Sequence, residues 1–282
     1  MPSMDLGICV RDRPAAEVAR LGRFAESEGF GEIWVPDLRG GGPGGRDAFI
    51  SLGALFEATT TVRAGVGVAA VIFHDEAGLA RAAGTLSEQS AGRFSLGIGV
   101  SHREAAGTLA QYPGSPLAEI RRWLAALEQR SHGGGLAFGR GFPVLVGALG
   151  PKMVALGAAA SDGLVLNWLT PEHAATTVAQ ARAAAGPGRS PRTVLYVRIS
   201  PRAAAHADAV GYDSLANYHH HFVAQGLTTP EAIVTGTCLP ADDPTAVRDR
   251  LAAYAEAGID VLCLYPHGFE EADRARVLAS IR

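Results

Sequence analysis

PVLVGALGPKMVALGAAASDGLVLNWLTP, residues Pro143 to Pro171, is the stretch that decides the fold. It reads as a short apolar strand from Pro143 to Val146, a glycine-bearing turn (GALGPK), a helix from about Pro151 to Ala160 and a second apolar strand from Gly163 to Leu166. Such a strand, turn, helix and strand, with hardly a residue to spare, is the repeating unit of an α/β protein. Gly147 and Gly150 let the backbone come close to a ligand or take a positive φ. Pro151 suits the first helical position, and the helix start leaves N–H groups without intrahelical acceptors. A phosphate or carboxylate is attracted to such a place. Lys152, the only lysine in the chain, lies in the first helical turn beside those groups. The plainer reading is that GALG is a tight strand-to-helix connection and Lys152 a solvated flank.

Working outward, the same alternation continues in both directions. Strands are expected at Met4 to Val10, Glu32 to Val35, Arg63 to Val71, Arg93 to Val100, Thr193 to Ser200 and Asp260 to Tyr265. Helical periodicity and stop signals place helices between them. The segment from Arg202 to Cys238 exceeds one helix and is expected to form two with a bend. Eight apolar strands alternating with helices point to a parallel (β/α)8 TIM barrel, an α/β fold forming a single domain over residues 1–282. A doubly wound open sheet is the alternative, but its GxGxxG fingerprint is absent after the first strand.

Composition narrows the function. The 282 residues are 48% hydrophobic, enough for one large core, and 25 basic against 28 acidic residues leave a net charge of −3. That balance carries no nucleic-acid footprint and no basic membrane face, so a small-molecule substrate is expected. Cys9, Cys238 and Cys263 are odd in number and set in apolar surroundings, as reduced core thiols in the cytoplasm would be. No run reaches transmembrane length and no signal-peptide pattern opens the chain. No metal-ligand spacing stands out; HHH at 219–221 points its rings in different directions on a helix.

In a barrel of this kind, active sites lie at the C-terminal ends of the strands. Position therefore selects Asp37, Phe73 and His74, Ser101 to Glu104, Gly147 to Lys152, Asn167 and Trp168, Arg198 and Ser200, and Tyr265 and His267. With neither a metal cluster nor a GxSxG nucleophile, such a barrel usually borrows its chemistry from a cofactor.

IWVPD at 33–37, RAGVGVAAVIFHDEAGLARAAGTLSEQSAGRFSLGIGV at 63–100, VLVGALGPKM at 144–153, SDGLVLNWLTPE at 161–172 and DDPTAVRDRLAAYAEAGIDVLCLYP at 242–266 together resemble the luciferase-like monooxygenase superfamily. GALGPKM followed by DGLVLNWLTP looks most like its branch that uses the deazaflavin coenzyme F-420, which includes methylenetetrahydromethanopterin reductase. The resemblance implies an oxidoreductase moving hydride between F-420 and a small organic substrate. FMN is the alternative cofactor, in a monooxygenase served by a partner reductase; a cofactor-less or non-catalytic barrel is the third reading. The resemblance also implies a bulge with a non-prolyl cis peptide at Gly67–Val68, with Ala69 close by, against the central ring of the cofactor. It puts the tail phosphate on Gly147, Ala148, Leu149 and Gly150, with Lys152 assisting and Asn167 beside them. Asp37 and His102 match positions where side chains face the reacting carbon, and His102 is the proton donor of first choice. Where relatives often carry Arg-His-Pro after the third strand, this chain has His74, Asp75 and Glu76. Relatives are often homodimers through the helices after strands two and three.

Overall fold

The computed structural model describes residues 4–37, 46–101, 114–132 and 141–282. Eight parallel strands close on themselves: β1 (Asp5–Cys9), β2 (Glu32–Val35), β3 (Arg63–Ala70), β4 (Phe94–Gly99), β5 (Val144–Gly147), β6 (Gly163–Asn167), β7 (Arg192–Ser200) and β9 (Val261–Tyr265). Each is hydrogen-bonded to the next in that order, and β9 returns to β1, pairing Asp5 with Val261 and Leu6 with Leu262. The expected TIM barrel is thus the fold, and the open doubly wound sheet is excluded by the β1–β9 closure.

The strands read as continuous apolar runs because both faces are buried. Alternate residues turn inward, and Cys9, Trp34, Leu145, Val165, Val194, Tyr196, Val261, Cys263 and Tyr265 form one cluster inside the barrel. The other set, with Ile8, Ile33, Val66, Ile98, Val146, Leu164 and Leu195 among them, packs against the surrounding helices. The N-terminal end of the barrel is closed by a charged plug. Glu32, 1% exposed, accepts hydrogen bonds from Trp34 Nε1 at 2.9 Å, from Arg63 Nε at 2.8 Å and from Arg192. A buried carboxylate persists only when its lone pairs are taken up in this way.

Local signals set the helix limits. α1 (Ala15–Glu28) stops at Gly29, which adopts φ 77°, a left-handed conformation that costs glycine little. Asp47 caps α2 (Ala48–Ala58) through the Ile50 N–H, and Asp75 caps α3 (Glu76–Gln89) through the Gly78 N–H. α4 (Pro116–His132), α5 (Pro151–Ala160) and α6 (Pro171–Ala185) follow, the last two with Pro in the first turn.

The region after β7 departs from the expectation of two helices. It forms three, α7 (Arg202–Asp213), α8 (Ala216–Ala224) and α9 (Pro230–Thr237), because Gly226 takes φ 75° and Pro230 starts a new helix capped by Thr229. A two-residue strand, β8 (Leu239–Pro240), then lies alongside the end of β7, so the eighth barrel strand is β9. α10 (Pro244–Glu256) and α11 (Glu271–Ala279) complete the outer ring. No described helix is long and apolar enough to cross a membrane.

Candidate active site

The C-terminal mouth of the barrel is shaped first by β3. Its register against β4 shifts between Val66 and Ala69, and the Gly67–Val68 peptide bond is cis, at the place the family resemblance implies. The hydroxyl of Tyr196, buried inside the barrel, donates to the Gly67 carbonyl at 3.0 Å. A Cβ on Gly67 would stand 1.8 Å from that hydroxyl oxygen, so glycine is required there by close approach. The bulge turns the half-buried Val68 side chain into the mouth, where glycines of β4 and β5 receive it. A Cβ on Gly99 would lie 2.6 Å from Val68 Cγ2, and one on Gly97 or Gly147 3.1 Å from Val68 Cγ1. Gly147 thus serves a close approach, although the neighbour it admits is Val68. Neither Gly147 nor Gly150 has a positive φ, and Gly150 has open space where a Cβ would be.

The turn after β5 leads into α5, whose N-cap, Gly150, provides no side-chain hydrogen bond. The first turn is therefore open to an anionic group. Lys152 is exposed in that turn, Ala148 is buried, and the Ala148 N–H is already taken up by the Val165 carbonyl at 3.0 Å. Of the segment assigned to a tail phosphate, Ala148 contributes packing.

Across β6 and β7 lies a buried polar network. Arg198, 2% exposed, donates from Nε to Asp208 at 2.9 Å and from a terminal nitrogen to Asn167 Oδ1 at 2.5 Å, and its guanidinium carbon sits 3.6 Å above the Trp168 ring. Asn167 Nδ2 donates to the Tyr218 hydroxyl at 3.1 Å. A buried guanidinium needs such partners, and this one has a carboxylate, an amide oxygen and an aromatic face. Nε2 of His221 meets the carbonyls of Asn167 at 3.1 Å and Trp168 at 2.9 Å, so that nitrogen carries the hydrogen. Burial lowers the pKa of His221 despite those two acceptors. Asn167 is therefore held from both sides, by its side chain and by its carbonyl. Among the described buried side chains, Trp168 Nε1 and Ser200 Oγ lack a hydrogen-bond partner.

Backbone conformation marks the same end of the barrel. Of the four described non-glycine residues with positive φ, Asp12, Ser101 and Trp168 lie just beyond β1, β4 and β6, at 51°, 68° and 56°, and Ala91, in the turn before β4, is the fourth. Left-handed backbone at non-glycine residues costs about 1–3 kcal/mol each and gathers at functional sites. On the β2–β3 side, Asp37 Oδ2 lies 2.6 Å from His74 Nε2 with both side chains largely buried, and Phe49 packs edge-on to the imidazole at 6.1 Å. Asp37 is thus one half of a carboxylate–histidine pair. His102 lies outside the described residues; Ser101, the residue before it, is the last described position of the β4 exit.

Sequence reasoning named Asn167, Trp168, Arg198, Ser200, Tyr265 and His267 by their position after strands, and the structure brings them to one mouth. It missed Tyr196, Asp208, Tyr218 and Arg11. The parity of β1 could have revealed Arg11, since Gly7 and Cys9 point inward and Arg11 is next in that register. Asp208 and Tyr218 lie on helices and gave no sequence signal. Among the described residues no three His, Cys, Asp or Glu side chains gather as a metal site. The three cysteines are buried and free, and burial pushes the Cys9 thiol up to about 12, which makes it a packing group.

A family model described as luciferase-like monooxygenase matches residues 4–261. The chain is 30% identical over 197 residues to a 5,10-methylenetetrahydromethanopterin reductase of Methanolobus tindarius, covering 64% of this chain and 59% of that protein. It therefore spans about three fifths of the length of that curated relative. Among solved structures, an F-420-dependent secondary alcohol dehydrogenase in complex with an F-420–acetone adduct superimposes with a TM-score of 0.81 at 16% identity, over 99% of both chains. The oxygenating constituent of 3,6-diketocamphane monooxygenase from Pseudomonas putida, in complex with FMN, gives 0.73 at 15% identity, over 99% of this chain and 97% of the other. At those identities the structures speak for the fold.

Proposed function

The chain belongs to the luciferase-like monooxygenase family, and from that premise we propose that it is an oxidoreductase that passes hydride between coenzyme F-420 and a small organic substrate. The observation that carries the choice of cofactor is the sequence similarity to a methylenetetrahydromethanopterin reductase. The mouth fits such a group: three glycines give Val68 its place, the start of α5 is uncapped beside Lys152, and Trp168 Nε1 and Ser200 Oγ are buried without partners.

When bound, a reduced deazaflavin supplies a hydride. This chain's residues supply the rest. Gly147, Leu149, Gly150 and Lys152 would hold the tail phosphate, Val68 with Gly67 and Ala69 would support the ring, and Asn167 would orient it from a position fixed by Arg198 and Tyr218. The buried aromatic and aliphatic walls of the mouth exclude water. His102 would deliver the proton, and Asp37 would act with His74, whose ring it orients.

The alternative, an FMN-dependent monooxygenase with a partner reductase, is favoured by the family description itself. The reading also takes the protein to be cytoplasmic and a homodimer packed through α2 and α3; Ile50 on α2 is 71% exposed, an apolar side chain suited to such a face. Its F-420 would be reduced by another enzyme.

The test is a fluorescence titration of the purified chain with oxidised and reduced F-420 and with FMN. Tight binding of F-420 alone supports the proposal, and Gly147→Asp should weaken it, through a negative charge at the tail site and a Cβ 3.1 Å from Val68 Cγ1. Preference for FMN overturns the cofactor choice, and unchanged F-420 affinity in Gly147→Asp overturns the phosphate assignment.

A further inference from the structure

A cavity of about 320 Å³ opens between the ends of β1 and β9, lined by Arg11, Arg13, Tyr265, His267 and Arg274 among others. In the strand ring β1 is four steps from β5 in either direction, so this corner faces the Gly147–Lys152 turn across the full width of the mouth.

Its charges do not cancel. Three carboxylates lie at or next to the lining, and each has a close arginine of its own: Asp12 with Arg46 at 2.9 Å, Asp208 with Arg198 at 2.9 Å, and Glu17 with the buried Arg274. Arg11 reaches Asp208 only at 3.8 Å, and Arg13 reaches Glu17 only at 3.8 Å. Five guanidinium groups against three carboxylates leave two in excess, and the two loosely paired ones, Arg11 and Arg13, both line the cavity. Arg11 is steadied at the entrance by a long hydrogen bond from its Nη1 to the Tyr265 hydroxyl, 3.4 Å, and both arginine side chains are 37% exposed. Arg198 and Arg274 are buried in hydrogen bonds and act as supports. An arginine fork with open donors over a partly desolvated cavity is built for a planar or tetrahedral oxyanion.

We propose that this corner binds the anionic group of the substrate, a carboxylate or a phosphate, held by Arg11 and Arg13. The inference rests on the hydride-transfer reading above and gives it a substrate class. With the cofactor tail on the β5 turn, the opposite corner is the one left for a second ligand, and an anion gripped there leaves the uncharged part of the substrate to reach over the Val68 bulge.

The experiment uses inorganic phosphate as probe, at ionic strength held constant with chloride, and reads the thermal midpoint of the chain with and without F-420. A saturable rise is expected in both. Arg11→Gln with Arg13→Gln should weaken the phosphate affinity by roughly tenfold or more, the scale of losing charge-assisted hydrogen bonds, and leave F-420 affinity within about twofold. Arg11→Lys should recover part of the phosphate effect, which a merely structural arginine would not do. No saturable rise, or the same rise in the double variant once the start of α5 is occupied by F-420 or blocked by Gly147→Asp, overturns the proposal. Displacement of F-420 by phosphate, together with lost F-420 affinity in the double variant, would make the corner the cofactor's own anion site and overturn the assignment to substrate. Because phosphate is also read on the chain alone, failure of F-420 binding and failure of the anion site are separate results.

Discussion

The fit between Val68 and the glycines around it can be tested with a double substitution. In Gly99→Ala the new methyl would be placed 2.6 Å from Val68 Cγ2, with Val68 Cβ the next atom at 3.5 Å. Relief requires a displacement of roughly 1 Å, and overpacking of that kind costs about 1–3 kcal/mol. Loss of glycine's freedom in the unfolded chain returns about 0.4–1 kcal/mol. The expected net destabilisation is therefore about 0–2.6 kcal/mol. Val68→Ala removes the clashing methyls and, from a half-buried position, should itself cost about 1–1.5 kcal/mol. In the double variant the remaining contact is an ordinary 3.5 Å, so the overpacking vanishes and the two changes couple favourably by about 1–3 kcal/mol. Gly97→Ala is the control: its methyl would meet the backbone carbonyl of Val66 at 2.6 Å, which Val68→Ala cannot relieve. Urea denaturation followed by circular dichroism measures the wild type, the three single variants and the two double variants. A coupling between Gly99→Ala and Val68→Ala within about 0.5 kcal/mol of zero would refute the account. So would equal rescue of Gly97→Ala.

Other expectations follow from the same mouth. Tyr196→Phe leaves the buried Gly67 carbonyl without its donor and should cost about 1–3 kcal/mol; an unchanged denaturation midpoint would mean that water replaces the hydroxyl. His221, His173 and His267 have pKa values lowered by burial, so the unfolded chain binds protons that the folded chain does not. Their contribution is fully present above the ordinary histidine value of about 6.5 and is lost as pH falls below it. The thermal midpoint should drop between pH 7 and pH 5, and less steeply in His221→Gln; parallel curves would remove His221 from the explanation. His102→Ala and Asp37→Asn should lower turnover more than F-420 affinity, and the reverse split in steady-state kinetics would move either residue to a binding role.

The architecture was largely legible because barrel strands carry unusually plain signals. EIWV at 32–35 is an apolar run opened by one glutamate and cut off by Pro36, and β2 has those limits. Pro151 and Ser161 bracket α5 at the residues expected. The three-helix excursion before β8 was harder, since Gly226 and Pro230 mark a break only once it is known which of many Gly and Pro residues interrupt a helix. Site residues were legible as far as position after a strand could select them. The pairings that give them chemistry join distant parts of the chain: Asp37 with His74, Arg198 with Asp208 on α7, Tyr196 with Gly67. Such contacts are set by barrel closure, and nothing in local periodicity encodes them. The place of the bulge was available only through the family resemblance, since Gly67 and Val68 sit in a glycine-alternating strand where any of several bonds would serve equally well by pattern alone.

The plug of Glu32, Arg63 and Arg192 also ties together distant parts of the chain. Glu32 lies on β2, Arg63 on β3 and Arg192 on β7, so one carboxylate joins partners 31 and 160 positions away in sequence. Seated under Trp34 and Cys263, that charge finds both arginines only once the strands have come round into a ring. The cluster thus works as a clasp, fastened by the same event that closes the barrel.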